Sequence, residues 1–349
     1  MTAPATADAL GSRPETLAAG RILDRARDLV APALTDAVAT LHPWIAEMAA
    51  YALGHGGTDT GGRGTEADSR GGKGVRQALA LLGAELAGAP ADSGVPAAVA
   101  VELVHTFSLV HDDIMDGDAL RRGRPALWKA YGTGPAVLAG DALLALAVGT
   151  LGAAPEAARR LSAALDDLVR GQADDLLLAR RPWTGPEAVT AGEYETMAER
   201  KTGTLLGCAL ALGAQLGGAD ERIVAALDRA GRHLGVAFQI VDDLLGIWGD
   251  PEVTGKPVHG DLREGKKTLP VLAALDGPYG PELAQLLGAR DTAERAADLV
   301  ARAGGRAAAL REARRHLAAA YALLDSVPCS PHAAGELRSL LSALTRRTV

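Results

Sequence analysis

The sequence predicts an all-α protein, and three observations lead to this fold class. Alanine and leucine dominate a chain of 349 residues in which aromatic residues make up only 3%. Apolar residues recur with helical spacing over long segments, whereas β-branched runs, which favour strands, are few. Gly, Pro and Asp divide these segments, as is typical of helix ends. With 48% hydrophobic and 23% charged residues, the chain has the composition of a globular protein that can bury a large core.

The predicted helices follow one another from Thr16 to the end of the chain. We expect a disordered tail over residues 1–14, and breaks in the first helical segment around Pro32 and Pro43. Residues 54–72 are too rich in glycine for a helix, and we expect a mobile loop there. The later helices are predicted at 74–89, 96–116, 136–152, 155–180, 190–216, 219–248, 280–288, 291–303, 305–326 and 330–346. Since no repeat is convincing, residues 15–349 are predicted to form a single domain.

Charge and cysteine usage exclude several classes of protein. A formal net charge of -7 argues against a nucleic-acid partner, which would require a basic face. Cys208 and Cys329 are far apart and lack CxxC spacing, so neither a disulfide framework nor a zinc site is indicated. No basic n-region opens the chain, and no uninterrupted apolar run approaches the roughly 18 residues of a membrane span. We therefore expect a cytoplasmic protein without a transmembrane segment.

Three carboxylates end an otherwise apolar helical segment that begins at Val101. At about 100° per residue, Asp112 and Asp116 share one face of a helix, and His105 lies two turns back on the same stripe. Asp112, Asp113 and Asp116 place three negative charges close together, and such a cluster is costly to desolvate. Hard divalent ions, which prefer oxygen ligands, suit it. This pattern indicates magnesium, although DDIMD alone fits a solvated helix end equally well.

A second polar stripe follows 130 positions after Asp112. Gln239, Asp242, Asp243 and Gly246 stand at i, i+3, i+4 and i+7 of a segment whose other positions are mostly apolar. One such stripe could be a satisfied network in a core. Two carboxylate stripes on separate helices favour a metal cluster shared between them.

Basic residues lie on both sides of the first acidic stretch in the chain. Arg121 and Arg122 directly follow it, and arginine suits bidentate contacts with an anion that also touches a metal. Upstream, Lys73 and Arg76 point the same way from the first turn of a helix, where backbone N–H groups favour an anion. The motif is not a Walker A loop, because Gly74 follows the lysine. Metal plus arginine indicates a phosphate ligand, and a solvated basic turn is the alternative.

Six motifs in order resemble those of a known family. They are GGKGVR, DDIMD with RRGRP downstream, RKTG, FQIVDD and TGKPVHGDLREGKKT, and they span about residues 70 to 275. The chain resembles the trans-polyprenyl diphosphate synthase family, and most of all its geranylgeranyl diphosphate synthase group. This resemblance implies a helical bundle of the isoprenoid synthase type around a central apolar cavity, and a homodimer.

The resemblance also implies a set of site residues. Metal ligands would be Asp112, Asp116 and Asp242, binding three magnesium ions that manganese can replace, with Asp113 and Lys201 as further catalytic residues. Isopentenyl diphosphate would be held by Lys73, Arg76, His105 and Arg122, with Arg121 also binding substrate. The leaving diphosphate would contact Lys201, Lys256 and Lys266, while Thr202 and Gln239 would lie beside the reacting carbons. Gln172, Asp174 and Asp175 are expected at the margin of the site, and Lys267 on a solvated loop.

Several positions depart from the family pattern. Gly74 stands where many members have Arg, Gln77 where they have Pro, and Gly246 where the second motif usually ends in Asp. Gly246 removes one outer carboxylate, so we expect Asp242 to carry most of the third metal's binding. None of these changes removes a first-choice ligand.

The implied reaction is a head-to-tail prenyl transfer from an allylic diphosphate to isopentenyl diphosphate. A class I terpene cyclase would lack the second, basic diphosphate site, and a non-catalytic binding subunit would tend to lose the Asp clusters. Phe107 resembles the bulky residue that limits chain length, although on a helix it lies about 140° from Asp112, whereas the small Ser108 lies about 40° from it. Geranylgeranyl diphosphate is the expected product, with farnesyl diphosphate as the alternative.

Overall fold

The first two helices lie on either side of Pro43. The computed structural model describes residues 12–54, 74–251, 258–287, 289 and 291–345. Helix α1, Ser12–Ala39, already begins inside the expected tail and continues through Pro32. An internal proline weakens a helix, but α1 buries a continuous apolar face against the core, and packing of such a face supplies most of a helix's stability. The predicted break at Pro32 is therefore wrong, whereas Pro43 opens helix α2, Pro43–Leu53, as a first-turn proline does.

The rest of the described chain is almost entirely helical. The first half contains α3 (Val75–Leu86), a 3-10 turn (Ala91–Gly94), α4 (Val95–Asp116), α5 (Leu127–Tyr131), α6 (Thr133–Thr150) and α7 (Pro155–Ala179). The second half contains α8 (Ala191–Ala198), a π turn (Glu199–Gly203), α9 (Thr204–Leu216), α10 (Glu221–Trp248), α11 (Gly260–Arg263), α12 (Leu269–Leu275), α13 (Gly280–Leu287), α14 (Ala293–Arg302), α15 (Gly305–Asp325) and α16 (Pro331–Thr345). In the described part of the chain, strands occur only as an antiparallel hairpin of β1, Leu120–Arg121, and β2, Arg124–Pro125. The all-α prediction is confirmed.

Helix α9 is the centre of the bundle. Every residue from Thr204 to Ala214 is buried, because α3, α4, α7 and α10 surround the helix. A helix covered on all sides has to be apolar all round, and the TLLGCALALGA run meets that condition. The main core cluster extends from α9 to α1 and α16, which also pack against each other.

Glycines bring the backbones of the central helices into contact. A Cβ built on Gly235 of α10 would lie 2.2 Å from the Cα of Gly203, and one on Gly213 of α9 would lie 1.8 Å from the carbonyl oxygen of Ala80 on α3. Neither position can accept a side chain without moving a backbone. This close approach places the π turn directly against the middle of α10.

The sequence pattern predicted the long helices accurately but did not predict the short helices and strands. Helix α10 was predicted over 219–248 and α4 over 96–116, each within two residues of the observed ends. The segment predicted as one helix over 190–216 is interrupted by the π turn. The hairpin and the short helices α5, α11 and α12 were not predicted, because periodicity is not measurable over so few residues.

Two segments are long and apolar enough to cross a membrane by length and composition, a test that buried core helices also pass. They are Ala91–Asp116, of which 61% is buried inside the protein, and α6, of which 28% is buried. The first is a core helix, and its apolar surface is used in packing. Helix α6 remains largely uncovered in the single chain.

Candidate active site

The first acidic group lies at the C-terminal end of α4. Asp112 and Asp116 stand one turn apart, Asp112 half-buried and Asp116 exposed. Burial raises the pKa of Asp112 to about 6, with Lys201 opposing the shift and Asp116 adding to it. A divalent cation would relieve this crowding, because it favours the ionised form of both carboxyls. The residues therefore fit a magnesium site.

Asp113 has a different role from its neighbours. It is buried, and its Oδ1 accepts a hydrogen bond from Arg121 Nε at 2.9 Å, with a second, shorter contact from the same guanidinium. This ion pair fastens the hairpin to the end of α4. Asp113 and Arg121, expected as a catalytic and a substrate-binding residue, are thus paired with each other.

The second acidic group lies near the C-terminal end of α10, where two adjacent aspartates differ in burial. Asp242 is exposed, whereas Asp243 is 4% exposed. The Asp243 carboxylate accepts hydrogen bonds from Tyr194 Oη at 2.6 Å, the backbone N–H of Leu269 at 3.1 Å and Gln239 Nε2 at 3.2 Å. Burial raises its pKa to about 7. Asp243 therefore joins α8, α10 and α12, and Asp242 is the carboxylate presented to the site.

Helix α7 contributes a third acidic position. Asp175 accepts a hydrogen bond from Lys201 Nζ at 2.6 Å, and it lies close enough to Asp112 and Asp116 to raise the pKa of both. Asp174 instead pairs with Arg200 at 2.9 Å. Of the residues expected at the margin of the site, Asp175 is the one that joins the acidic group.

The π turn presents Lys201 and Thr202 between these acidic groups. A Cβ on Gly171 of α7 would lie 2.4 Å from the backbone nitrogen of Lys201, so only glycine lets α7 approach the turn this closely. π turns insert an extra residue and often occur at functional sites. Thr202 Oγ1 donates a hydrogen bond to Gln239 Oε1 at 2.8 Å, which connects the turn to α10. The two polar residues expected beside the reacting carbons are therefore in contact.

A separate basic group lies at the start of α3. Burial, partly offset by Glu102 and reinforced by Arg122, lowers the pKa of Arg76 to about 10. Burial, and then the charges of Arg76 and Arg122, hold the pKa of His105 well below its usual range. Among the residues that the structure describes, Arg76 Nε has no hydrogen-bond partner. A buried guanidinium N–H without a hydrogen-bond partner, close to a second arginine, suits an anion. Lys73 lies outside the described residues.

The loop after α10 carries further cations. Lys256 lies outside the described residues. Lys266 Nζ is 3.0 Å from Glu264 and 3.7 Å from Asp261. Burial alone would lower the pKa of Lys266, but these two carboxylates and Asp242 raise it above its ordinary value. The interpretation of Lys267 as a solvated loop residue is wrong, because its Nζ lies 3.3 Å from the centre of the Trp183 ring.

The two residues expected to set product length lie one turn before the acidic group. The Phe107 ring packs edge-on against His111, with centroids 4.8 Å apart, and belongs to the margin of the main core. Ser108 Oγ donates a hydrogen bond back to the carbonyl of His105 at 2.9 Å. His111 in turn lies directly over Gly140 of α6, so the position of Phe107 depends on the packing of α4 against α6.

Sequence reasoning missed two residues that organise the site. Tyr194 is fully buried, and it was overlooked because an isolated tyrosine between helices carries no periodic signal. Asp261 lies within the quoted TGKPVHGDLREGKKT motif, but its place beside α10 is set by the fold of the loop. No spacing in the sequence could have indicated that contact.

The fold and these two opposed charge groups define a helical-bundle enzyme that handles diphosphates with divalent cations. A sequence profile for the family described as Polyprenyl synthetase matches residues 65–303. The chain belongs to that family.

Individual relatives agree with this assignment. The geranylgeranyl diphosphate synthase of Mycobacterium tuberculosis is 44% identical, over 97% of this chain and 96% of the relative. A (2E,6E)-farnesyl diphosphate synthase of Mycobacterium bovis is 41% identical, over 93% and 92%. The crystal structure of a polyprenyl synthetase from Streptomyces coelicolor superposes with a TM-score of 0.84 at 43% identity, covering 93% of this chain and 98% of that one. A geranylgeranyl pyrophosphate synthase from Corynebacterium glutamicum, complexed with calcium and isoprenyl diphosphate, has a TM-score of 0.75 at 30% identity, covering 97% and 98%.

Proposed function

We propose that the protein is a prenyltransferase that condenses isopentenyl diphosphate head to tail with an allylic diphosphate and makes mainly geranylgeranyl diphosphate. Farnesyl diphosphate is the alternative product. The observation that carries the proposal is the presence of two opposed charge groups along α4. Asp112 and Asp116 provide the acidic group at the end of the helix, and His105, two turns earlier, belongs to the basic group with Arg76 and Arg122.

Each group suits one of the two diphosphates. The acidic group of Asp112, Asp116, Asp175 and Asp242 can hold the allylic diphosphate only through cations, and magnesium bound there would neutralise the charge of the departing diphosphate. The basic group can hold the diphosphate of isopentenyl diphosphate directly. The separation of the two modes of binding orients the two substrates relative to each other.

The chain's own residues then support the bond changes. Lys201, beside Asp175, supplies positive charge to the leaving oxygen as the allylic C–O bond breaks and its electron pair departs with the diphosphate. The double bond of isopentenyl diphosphate forms the new C–C bond, and the departed diphosphate takes the proton whose loss restores an alkene. Gln239 and Thr202, hydrogen-bonded to each other, lie beside the cationic carbons with their oxygen atoms as partners for the charge.

The cofactor is a divalent cation. We infer magnesium, with three ions at each active site and with manganese able to replace it. The raised pKa values of Asp112 and Asp116, both caused first by burial, support a site that is incomplete without cations. The calcium in the related Corynebacterium glutamicum structure is consistent with oxygen ligation by the family.

Incubation with isopentenyl diphosphate and each allylic starter, followed by mass analysis of the products, tests this function. We expect a twenty-carbon diphosphate as the main product, activity lost in excess EDTA, and recovery on adding magnesium. Product formation at an undiminished rate in EDTA would contradict the metal-dependent mechanism. A fifteen-carbon main product would select the alternative.

We also propose a homodimer that is formed through α6. Apart from Asp141 this helix is almost entirely apolar, yet Val137 and Leu138 are 40% and 48% exposed in the single chain. An apolar helix face of this kind is covered in a stable protein. A second copy is the occupant we infer, because each chain presents the same face and a two-fold interface would bury both at once.

Light scattering coupled to size exclusion tests the dimer. Wild-type protein is expected at twice the mass of the chain, and Leu138→Glu at the mass of a monomer. Val169→Glu serves as a matched control, because Val169 is 59% exposed on α7 and should not alter the mass. A monomeric wild type that binds lipid vesicles through α6 would instead identify a membrane surface as the occupant of this face and would contradict the dimer.

A further inference from the structure

A carboxylate from another element occupies the space in front of Gly246. A Cβ built on Gly246 would lie 2.0 Å from Asp261 Oδ2, 2.4 Å from its Cγ and 2.8 Å from its Oδ1. Asp261 belongs to α11 and is 7% exposed. Its carboxylate therefore occupies the space that any side chain at position 246 would fill.

This arrangement matches the spacing of the first acidic group. On α4, Asp112 and Asp116 are four residues apart and share a helix face. On α10, Asp242 and Gly246 have the same spacing, and the second carboxylate comes from Asp261 instead of from position 246. At the second position of each i, i+4 pair there is thus a carboxylate, from Asp116 itself on α4 and from Asp261 in front of Gly246 on α10.

The backbone around Asp261 keeps its carboxylate in place. The N–H of His259 donates a hydrogen bond to the carbonyl of Ile247 at 3.2 Å, which ties the start of α11 to the last turns of α10. The N–H of Lys266 donates to the Asp261 carbonyl at 2.9 Å, and its side-chain Nζ lies 3.7 Å from Asp261 Oδ1. Asp261 therefore also determines where Lys266 stands relative to Asp242.

We propose that Asp261 supplies the outer carboxylate of the second acidic group, which Gly246 lacks, and acts as a positioning residue for the cation at Asp242 and for Lys266. This inference rests on the proposed function. Glycine is then required at position 246, because only a residue without a side chain leaves room for the Asp261 carboxylate from α11. The expectation from the sequence that Asp242 carries most of the third metal's binding is replaced by a shared role.

Asp261→Asn tests the proposal, because it removes the charge and keeps the shape. The readout is calorimetric titration of magnesium into protein with inorganic diphosphate, and we expect about tenfold weaker magnesium binding, as is usual when a group next to a metal ligand is changed. Glu264→Gln is the matched control, since Glu264 also contacts Lys266 but is exposed. It should leave magnesium binding unchanged.

Two further variants separate charge from packing. Gly246→Ala places a methyl group against the Asp261 carboxylate and should weaken magnesium binding as Asp261→Asn does. The combination Gly246→Asp with Asp261→Gly returns the carboxylate to α10 and should restore binding to within about threefold of wild type. Thermal melting without magnesium reports whether each variant is folded.

Unchanged magnesium binding in folded Asp261→Asn would overturn the proposal. Equal weakening by Glu264→Gln would do the same, because the effect would then be a general one of loop charge. Asp242→Asn distinguishes this failure from failure of the proposed function: it should weaken magnesium binding in the presence of diphosphate whatever Asp261 does. If wild-type protein binds no magnesium with diphosphate, the proposed function itself fails.

Discussion

At the scale of single residues, the two adjacent aspartates of α10 show how burial assigns roles that the sequence leaves equal. Asp242 is exposed and faces the site, while Asp243 is buried and holds Tyr194 and the N–H of Leu269. Either carboxylate could have been the metal ligand on spacing alone. Their surroundings make Asp243 a structural anchor and leave Asp242 as the ligand that we propose.

Asp243→Ala should therefore destabilise the fold, whereas Asp242→Ala should remove activity. Loss of the Asp243 carboxylate leaves the Tyr194 hydroxyl and a backbone N–H buried without a partner, so the free energy of unfolding should fall by about 2–3 kcal/mol. Asp242→Ala should keep wild-type stability and lose roughly a hundredfold or more in kcat. Denaturant unfolding without magnesium measures the stability of each variant, and steady-state kinetics measures its activity. A stable, inactive Asp243→Ala together with a destabilised, active Asp242→Ala would show that the two roles are exchanged.

Arg122→Ala should separate the two substrates. Removal of one charged contact costs about 1.5–3 kcal/mol, which corresponds to roughly a tenfold to hundredfold rise in KM for isopentenyl diphosphate. The KM for the allylic substrate should change little, because that diphosphate is held at the acidic group. Arg124→Ala is a control in the same hairpin, since its guanidinium stacks on Tyr51. An equal loss for both substrates would mean that Arg122 does not belong to a separate site.

At the scale of elements, the proposed function gives α4 a part both in catalysis and in the control of product length. Its last turns carry Asp112 and Asp116, and Phe107 lies just before them, packed edge-on against His111. Since His111 rests on Gly140 of α6, the aromatic ring is held between two helices. The length of the product should depend on this contact.

Phe107→Ala should lengthen the product beyond twenty carbons, and Ser108→Phe should shorten it toward fifteen. The first change removes bulk one turn before the acidic group, and the second adds bulk about 40° from Asp112 on the same helix face. Product analysis by mass spectrometry with one allylic starter checks both variants. If both give the wild-type distribution, another helix limits the chain, although the condensation chemistry would stand.

The contact between α10 and α15 should make stability depend on pH. The Nδ1 atoms of His233 and His316 are 2.9 Å apart. Because the Arg315 guanidinium donates a hydrogen bond to His316 Nε2, the proton of the neutral His316 ring lies on Nδ1, and this N–H donates a hydrogen bond to His233 Nδ1. Burial, with the charge of Arg315, lowers the pKa of His316 to about 4. Glu195 and Glu312 also face the ring, and Glu312 acts in the opposite direction on the pKa of His316.

An unfolded histidine binds a proton near pH 6.5, whereas the folded His316 does not until the pH falls to about 4. Stability is therefore complete above about pH 6.5 and is lost as the pH falls through this window. Between about pH 7 and about pH 5, the free energy of unfolding of wild type should fall by about 1–2 kcal/mol more than that of His316→Gln. His332→Gln, at an exposed position, should keep the wild-type slope; identical slopes in all three proteins would contradict this account.

At the scale of the whole molecule, what the sequence predicted and what it missed have a common physical basis. Long helices such as α4 and α10 were found because each buries a periodic apolar face, and the carboxylates stood out as breaks in that pattern. The continuation of α1 through Pro32 was missed because tertiary packing overrides local propensity. The contact between Asp261 and Gly246 was missed because it joins two elements whose meeting depends on the fold of a loop.

Contact between the bare backbones of the central helices limits how this protein can be made more heat-resistant. Replacing glycine by alanine inside helices commonly stabilises a protein by about 0.4–1 kcal/mol per site, because it restricts the unfolded chain. That route is closed at Gly213 and Gly235, where a methyl group would collide with the next helix, and open at Gly20 and Gly335, where it would meet no atom within 4 Å. Stabilisation by glycine replacement is therefore confined to peripheral helices such as α1 and α16, because at Gly213 and Gly235 there is no room for a side chain.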